Sequence, residues 1–265
     1  MRILFLGDII SKAGRKALAG ELQGLRRRLA VDLCIGNVEN AAGIFGVTPK
    51  VVDEIVSSGV DIMTSGNHIW DKREGVELLD SRDDIVRPAN YPPGVPGKGF
   101  IVREIAGTPV SVINLQGRTF MIPIDCPFRC ADAILSEIPR GVKIVLVDFH
   151  AEATSEKQAL GAYLDGRVSA VVGTHTHVQT ADERVLPNGT AFITDVGMVG
   201  PVDSVIGVRK EQIIERFMRA LPVRFEVASG TVCIAGLLVD VDEATGRARE
   251  VRRVREEIEI HEEQP

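Results

Sequence analysis

Residues 171 to 180 read Val171-Val172-Gly173-Thr174-His175-Thr176-His177-Val178-Gln179-Thr180. The chain has 5 histidines, and two of them stand here one residue apart, directly after the apolar run 168–172. In an extended backbone residues i and i+2 point to the same face, so a chain that stays extended past this strand brings both imidazoles to one object, a metal ion. For an isolated pair, two polar residues on an exposed loop are an equally good interpretation.

The composition is that of a globular protein. Hydrophobic residues make up 45% and charged residues 26% of the 265 positions, with 26 Gly and 13 Pro. This length supports a sizeable core, and we expect a single domain over 1–265. No apolar run is long enough to span a bilayer, and the N-terminal apolar stretch ends in Gly7-Asp8 without a signal-peptide cleavage site. We therefore expect no membrane association and a cytoplasmic location.

Charge and cysteine content narrow the classes of function. A net charge of −6 argues against stable binding of duplex nucleic acid, because neutralising phosphates needs a basic face. The 4 cysteines are scattered, and the one close pair, Cys126 and Cys130, has the spacing of neither a zinc knuckle nor a redox motif. We expect free thiols. The sequence leaves homo-oligomerisation open.

Alternating strand-like and helical patterns predict an α/β fold with mostly parallel central strands. The runs that read as buried strands are 3–7, 32–38, 61–65, 142–147, 168–172 and 191–194. Two further runs, 100–105 and 110–115, predict an additional antiparallel pair. We also expect a helix over 130–138, strands over 223–228 and 231–241, and a tail over 256–265 that alternates acidic and apolar residues and holds His261.

Polar side chains of metal-binding type follow these strand-like runs. They are Asp8, Glu39, Asn40, Asn67, His68, His150, His175 and His177. In an open parallel sheet the carboxyl ends of the strands line one edge, where sites in α/β folds form, so we expect these residues to converge. Any one of them alone is better explained as a polar core or loop residue. Five such clusters at equivalent places are not.

The number of ligand-type residues indicates two metal ions. Two carboxylates, up to two amides and three imidazoles, those of His150, His175 and His177, are too many for one tetrahedral zinc. Mixed oxygen and imidazole ligation without cysteine favours Fe or Mn, with Zn as an alternative. Two divalent ions carry +4 against −2 from Asp8 and Glu39. Such a site attracts an anionic substrate and a hydroxide.

The same residues resemble a family signature. In order along the chain, Gly7-Asp8, Gly66-Asn67-His68, His150 and Gly173-Thr174-His175-Thr176-His177 look like the signature of the calcineurin-like metallophosphoesterases. With Gly36-Asn37-Val38-Glu39-Asn40 the chain is similar, over nearly its whole length, to the YmdB-like bacterial phosphodiesterase branch. This resemblance implies a layered metallophosphoesterase-like sandwich with flanking helices.

Two positions depart from the general signature. Ile10 stands where the usual Asp-x-His has its histidine, and the segment with Glu39 and Asn40 replaces the usual Gly-Asp-x-x-Asp. Both replacements are similar to the YmdB-like pattern. Because they change metal ligands, they alter the choice of metal and the fit of the substrate.

The resemblance also implies roles for individual residues. Glu39 would bridge two ions, with Asp8, Asn40 and His177 on one and Asn67, His150 and His175 on the other. His68 resembles the family's histidine that protonates the leaving oxygen or holds the phosphate. A bridging hydroxide would then attack phosphorus, with His68 as general acid. The substrate implied is a small-molecule phosphodiester, with cyclic nucleotides such as 2′,3′-cyclic AMP as candidates.

Two other functions remain open on the sequence. The fold could serve regulation or binding, for instance beside an RNA-processing enzyme, with weak phosphatase activity. The intact ligand set speaks against that loss of chemistry. A dinuclear hydrolase acting on amides or lactones uses similar ligands, but does not need the Gly66-Asn67-His68 motif.

Overall fold

The computed structural model describes residues 1–259. The strands are β1 (Arg2–Ile9), β2 (Leu33–Asn37), β3 (Ile62–Thr64), β4 (Phe100–Ile105), β5 (Thr108–Gln116), β6 (Ile144–His150), β7 (Ala170–Thr174), β8 (Arg184–Val185), β9 (Ala191–Ile193), β10 (Met198–Pro201), β11 (Val232–Val241) and β12 (Ala248–Ile258). The helices are α1 (Ser11–Leu29), α2 (Pro49–Ser58), α3 (Arg73–Leu79), α4 (Pro127–Glu137), α5 (Thr154–Leu164), α6 (Lys210–Arg219) and a short 3-10 helix, Asn67–Trp70. Within residues 1–259, no helix has the length and apolar composition needed to cross a membrane.

The strands form two 6-stranded sheets. One has the order β12-β11-β10-β1-β2-β3 and the other the order β4-β5-β6-β7-β9-β8. Parallel pairing joins β10, β1, β2 and β3 in the first sheet and β5, β6, β7 and β9 in the second. Antiparallel strands lie at the margins, including the expected pair β4 and β5. The predicted α/β class with mostly parallel central strands is confirmed.

The two sheets face each other across a shared core, and helices cover their outer faces. Successive residues of a strand point to opposite faces, so one strand supplies two cores. Ile3 and Phe5 of β1 lie in the core between the sheets, whereas Leu4 and Leu6 pack with α1 and α2. Alternate residues of β6 likewise divide between the shared core and the core under α4 and α5. The result is the layered sandwich expected from the family resemblance.

Strand β1 changes face near its carboxyl end. Leu6 and Ile9 both pack on the α1 side, so strict alternation is broken between them. The pairing with β2 shifts register between Leu6 and Asp8, which makes Gly7 the extra residue of a bulge. A Cβ added to Gly7 would lie 2.1 Å from the carbonyl oxygen of Gly197, so only glycine fits there. The bulge turns Asp8 toward the space between the sheets.

Some segments differ from the expectation. Helix α4 begins at Pro127 instead of residue 130, with the proline in its first turn. Residues 223–228 are not a strand, because within this segment only Val227 makes a bridge, to Val208; Phe225 and Val227 line a cavity. The long strand β12 was not predicted: residues 248–255 had no assignment, and 256–258 fell in the predicted tail. Its many Arg and Glu residues suit the edge of a sheet. The short β8 and β10 were also missed. His261 lies outside the described residues.

A buried ion pair ties α5 to the loop after β9. The Lys157 Nζ lies 2.7 Å from Asp195 Oδ2, and both side chains are 1% exposed. Asp195 also accepts hydrogen bonds from the backbone N–H of Thr176 at 3.1 Å, from its hydroxyl at 2.8 Å and from the N–H of Gly197 at 2.8 Å. The pair therefore anchors the loop that carries His175 and His177.

We expect Lys157→Met to lower the free energy of unfolding by about 3–5 kcal/mol, because it leaves the Asp195 carboxylate buried without its cation. The double variant Lys157→Met/Asp195→Asn should regain part of this loss, since the amide is neutral. Urea unfolding measures both. Lys210→Met is the matched control, because Lys210 pairs with Asp203 on the surface, where ion pairs contribute little. Equal losses for the two lysine variants would contradict the assignment.

Candidate metal centre

A layer of buried polar side chains closes the core between the sheets. Asn37, Thr64, Asp148 and Thr174 continue the inward-facing rows of β2, β3, β6 and β7, and all are 0% exposed. The Asp148 carboxylate accepts hydrogen bonds from the Thr64 hydroxyl, from the Thr174 hydroxyl at 2.7 Å and from Asn37 Nδ2 at 3.3 Å. Burial raises the pKa of Asp148 to about 7. This layer joins the two sheets directly beneath the candidate site.

The eight residues singled out from the sequence form one connected cluster above this layer. The expectation that they line the edge of one sheet is wrong, because two facing sheets contribute. The first sheet and the loops after its strands provide Asp8, Glu39, Asn40, Asn67 and His68, and the second provides His150, His175 and His177. A sandwich brings the carboxyl ends of both sets of strands to the same cleft.

One half of the cluster surrounds His150, and we call it the His150 group: Glu39, Asn67, His150 and His175. His150 Nε2 lies 3.0 Å from Glu39 Oε1, 3.1 Å from Asn67 Oδ1 and 3.0 Å from His175 Nδ1. The ligand atoms of Glu39, His150 and His175 all lie within 4.8 Å of one another. Oxygen and imidazole nitrogen atoms facing one point in this way could hold a metal ion.

The other half, the Asp8 group, consists of Asp8, Asn40 and His177. His177 Nε2 lies 3.6 Å from Asp8 Oδ1 and 3.3 Å from Asn40 Nδ2. Asn40 Nδ2 lies 3.4 Å from Asp8 Oδ1 and 3.5 Å from Glu39 Oε1. Glu39 therefore touches both groups. Rotating the Asn40 amide by half a turn would present its oxygen to the same point.

The histidine loop does not stay extended, so that part of the sequence argument is wrong. His175 has a φ of 99° and His177 a φ of 64°. The turned backbone separates the two rings, and His175 joins the His150 group while His177 joins the Asp8 group. Thr176, between them, is held by Asp195. The buried ion pair thus fixes a loop conformation that few residues other than glycine adopt.

Each of the three clustered histidines has its second ring nitrogen held by a separate partner. His150 Nδ1 lies 2.9 Å from the Thr174 hydroxyl, which in turn donates to Asp148. His175 Nε2 lies 3.1 Å from Glu152 Oε2. His177 Nδ1 donates to the carbonyl oxygen of Ile206 at 2.9 Å. Such outer contacts fix the tautomer and aim the other nitrogen of each ring into the cluster, as they do for histidines that ligate metals.

Asp8 and His177 form a pair of opposite charges within the cluster. Burial opposes ionisation of Asp8, but the attraction and hydrogen bond of His177 hold its pKa well below the usual range. Although burial acts against it, Asp8 raises the pKa of His177 to about 9. Burial lowers the pKa of His175 to about 3, so this ring is neutral and one of its nitrogens carries a lone pair. In the ion-free protein the His177 imidazolium balances Asp8.

The packing around the Gly66-Asn67-His68 motif shows why its first position is glycine. A Cβ added to Gly66 would lie 2.2 Å from Cδ2 of His150, so any side chain there would push the ring away. The His68 ring belongs to neither the His150 group nor the Asp8 group. The backbone N–H of His68 donates to Glu39 Oε2 at 2.8 Å, its Nδ1 lies 2.8 Å from Asp71 Oδ2, and its ring stacks on Phe45 with the centroids 4.2 Å apart.

Sequence reasoning missed several residues that support the site. Asn37 was read as part of a strand, and Asp148 and Thr174 were given no role although they follow predicted strands, yet each continues an inward-facing apolar row at the strand's carboxyl end. Extending the two-residue alternation of each strand past its last apolar residue would have predicted that these side chains also point inward. Glu152, two residues after His150, had no such signal, because it lies in a loop.

The chain resembles known proteins over nearly its whole length. The family model described as YmdB-like protein matches residues 4–254. A Bacillus subtilis (strain 168) relative named 2′,3′-cyclic-nucleotide 2′-phosphodiesterase is 49% identical over 254 residues, which cover 96% of each chain. Among solved structures, a hypothetical protein from Thermus thermophilus has a TM-score of 0.92 at 43% identity, covering 97% of this chain and 99% of its own. A novel phosphatase from Mycoplasma pneumoniae has a TM-score of 0.92 at 34% identity, covering 98% and 94%.

The family resemblance that the motifs indicated is therefore confirmed. The match includes strands of both sheets and every residue of the cluster, from Asp8 to His177. The chain belongs to the YmdB-like protein family.

Proposed function

We propose that this protein is a metal-dependent phosphodiesterase that hydrolyses cyclic nucleotides such as 2′,3′-cyclic AMP. The protein is a phosphoric diester hydrolase. The observation that carries the metal dependence is the arrangement of His150, His175 and His177, each with one nitrogen aimed into the cluster and the other held by a partner. The name of the Bacillus subtilis relative supports the substrate class.

We propose two metal ions, with Glu39 shared between them. Glu39 Oε1 faces His150 of one group and Asn40 of the other. The ligands proposed for one ion are Asp8, Asn40 and His177, and those for the other are Asn67, His150 and His175. Seven oxygen and nitrogen ligands without cysteine favour Fe or Mn over Zn. When bound, such ions supply a hydroxide nucleophile near neutral pH and stabilise negative charge on phosphoryl oxygens.

His68 is the proposed general acid. It is absent from both ligand sets, and it borders the same cavity as Glu39, His175 and His177. The Asp71 carboxylate accepts a hydrogen bond from Nδ1 and orients the ring, and a proton on Nε2 would be the one available to a leaving group. That Nε2 proton is the one transferred to the leaving ribose oxygen.

Ligands from both sheets make the sandwich one functional unit, and we propose that 1–265 acts as a single domain. The substrate is a small-molecule phosphodiester, and we propose a cytoplasmic location for its hydrolysis. A purely regulatory role would need neither the outer contacts of the three histidines nor the pairing of His68 with Asp71. We therefore prefer the enzymatic function. An amide or lactone hydrolase would not need that pairing either.

We expect Glu39→Ala to reduce kcat/KM for 2′,3′-cyclic AMP by roughly tenfold or more beyond the loss in Asn40→Ala. Glu39 carries charge and serves both groups, whereas Asn40 offers one neutral oxygen to one group. Metal content and activity of both variants, assayed at saturating Mn²⁺, make the comparison. Equal residual rates at matched metal content would refute the bridging role.

We expect His68→Ala to keep its metal content yet lose roughly 10²–10⁴ in rate on 2′,3′-cyclic AMP. The loss should be smaller on bis-(p-nitrophenyl) phosphate, because a nitrophenolate departs without needing a proton. Elemental analysis and the two rate ratios test this together. If His68 only orients Asn67, the variant will lose metal or suffer equally on both substrates.

A further inference from the structure

Residues 202–231, between β10 and β11, lie over the candidate metal centre, and we call them the cap segment. They include α6. The carbonyl oxygen of Ile206 accepts the hydrogen bond from His177 Nδ1, which ties the cap segment to a proposed metal ligand. Gly207, with a φ of 99°, packs so closely on Ile10 that an added Cβ would lie 3.0 Å from Ile10 Cγ2. The isoleucine that departs from the general signature therefore supports the cap segment.

The cap segment and the metal centre border a cavity of about 330 Å³. Its polar lining includes Glu39, Asn40, His175 and His177 from the cluster, together with His68. Its apolar lining residues, which we call the apolar wall, include Ile10, Ile44, Phe45, Ile206, Val208 and Phe225. The remaining polar lining residues, Glu152 and Thr176, are engaged by His175 and Asp195. Among the described lining residues, the apolar wall thus offers no polar side chain to read a ligand.

Two aromatic rings face this cavity. Phe45 stacks on His68, so the apolar wall begins beside the proposed acid for the leaving oxygen. Phe225 lies under the guanidinium of Arg216, whose Cζ is 5.2 Å from the ring centroid. The cation holds Phe225 in place from the cap segment. A group attached to the leaving ribose would therefore extend from His68 onto aromatic and aliphatic surface.

We infer that this wall binds the nucleobase of a 2′,3′-cyclic nucleotide by stacking and apolar packing, and that it selects for the presence of a base but not for its identity. The inference rests on the proposed function and adds to it which part of the substrate the protein recognises. Every base has a stacking face, so aromatic contacts tolerate all four. A pocket without positioned donors and acceptors discriminates poorly between ligands that differ in polar groups.

The test compares kcat/KM of the metal-loaded protein on the four 2′,3′-cyclic nucleotides and on glycerol 1,2-cyclic phosphate, which has no base. We expect the four nucleotides to agree within about tenfold and all to exceed the base-free substrate. Phe225→Ala should lower the nucleotide values by roughly 5- to 100-fold, chiefly through KM, and the glycerol value by less. Phe225→Leu, which keeps an apolar side chain but removes the stacking ring, should repeat this pattern more weakly if Phe225→Ala folds poorly. Phe217→Ala, also in the cap segment but 82% exposed and outside the cavity, should change neither.

Several outcomes would overturn the inference. A preference for one base above about 100-fold would show that the wall reads base identity. Equal rates on nucleotides and on glycerol 1,2-cyclic phosphate, or equal losses on both in Phe225→Ala, would show that no base binds there. These results would leave the proposed phosphodiesterase intact. Failure of the metal-loaded wild type on all five substrates would instead overturn the proposed function and this inference with it.

Discussion

The buried carboxylate of Asp148 is the constraint on which the site depends. A carboxylate removed from water must be hydrogen-bonded, and here its partners come from both sheets: Thr64 and Asn37 from one, Thr174 from the other. Thr174 passes the connection to His150 Nδ1 at 2.9 Å. The requirement to satisfy the hydrogen bonds of one buried carboxyl group therefore fixes the spacing of the sheets and the orientation of a proposed metal ligand together. Weakening these hydrogen bonds would loosen both the contact between the sheets and the orientation of His150.

The sequence predicted those site residues that directly follow an apolar, strand-like run. Asp8, Glu39, Asn67 and His150 were found because each comes after an apolar run, and the fold brings them together. The sequence could not tell one sheet from two, since strand periodicity says nothing about which strands pair. It also hid the bulge at Gly7, which reverses the face of Asp8. Long-range contacts decide both of these features.

The loop of His175 and His177 shows why local pattern fails at a functional site. The i, i+2 rule assumed an extended chain, but positive φ values turn the two rings to separate groups. Such a conformation persists only when its surroundings hold it. Here Asp195, which is paired with the distant Lys157, accepts hydrogen bonds from Thr176. The cap segment adds a second contact through the carbonyl oxygen of Ile206, so the proposed metal ligand His177 and the lining of the cavity are joined by one hydrogen bond.

The measurement that tests this account most directly is anomalous X-ray scattering from crystals of the protein loaded with Mn²⁺. Glu39 stands between the His150 group and the Asp8 group, so the account predicts two anomalous peaks about 3.5–4 Å apart, with the Glu39 carboxylate between them. A single peak within the His150 group, or peaks away from the eight clustered residues, would contradict it.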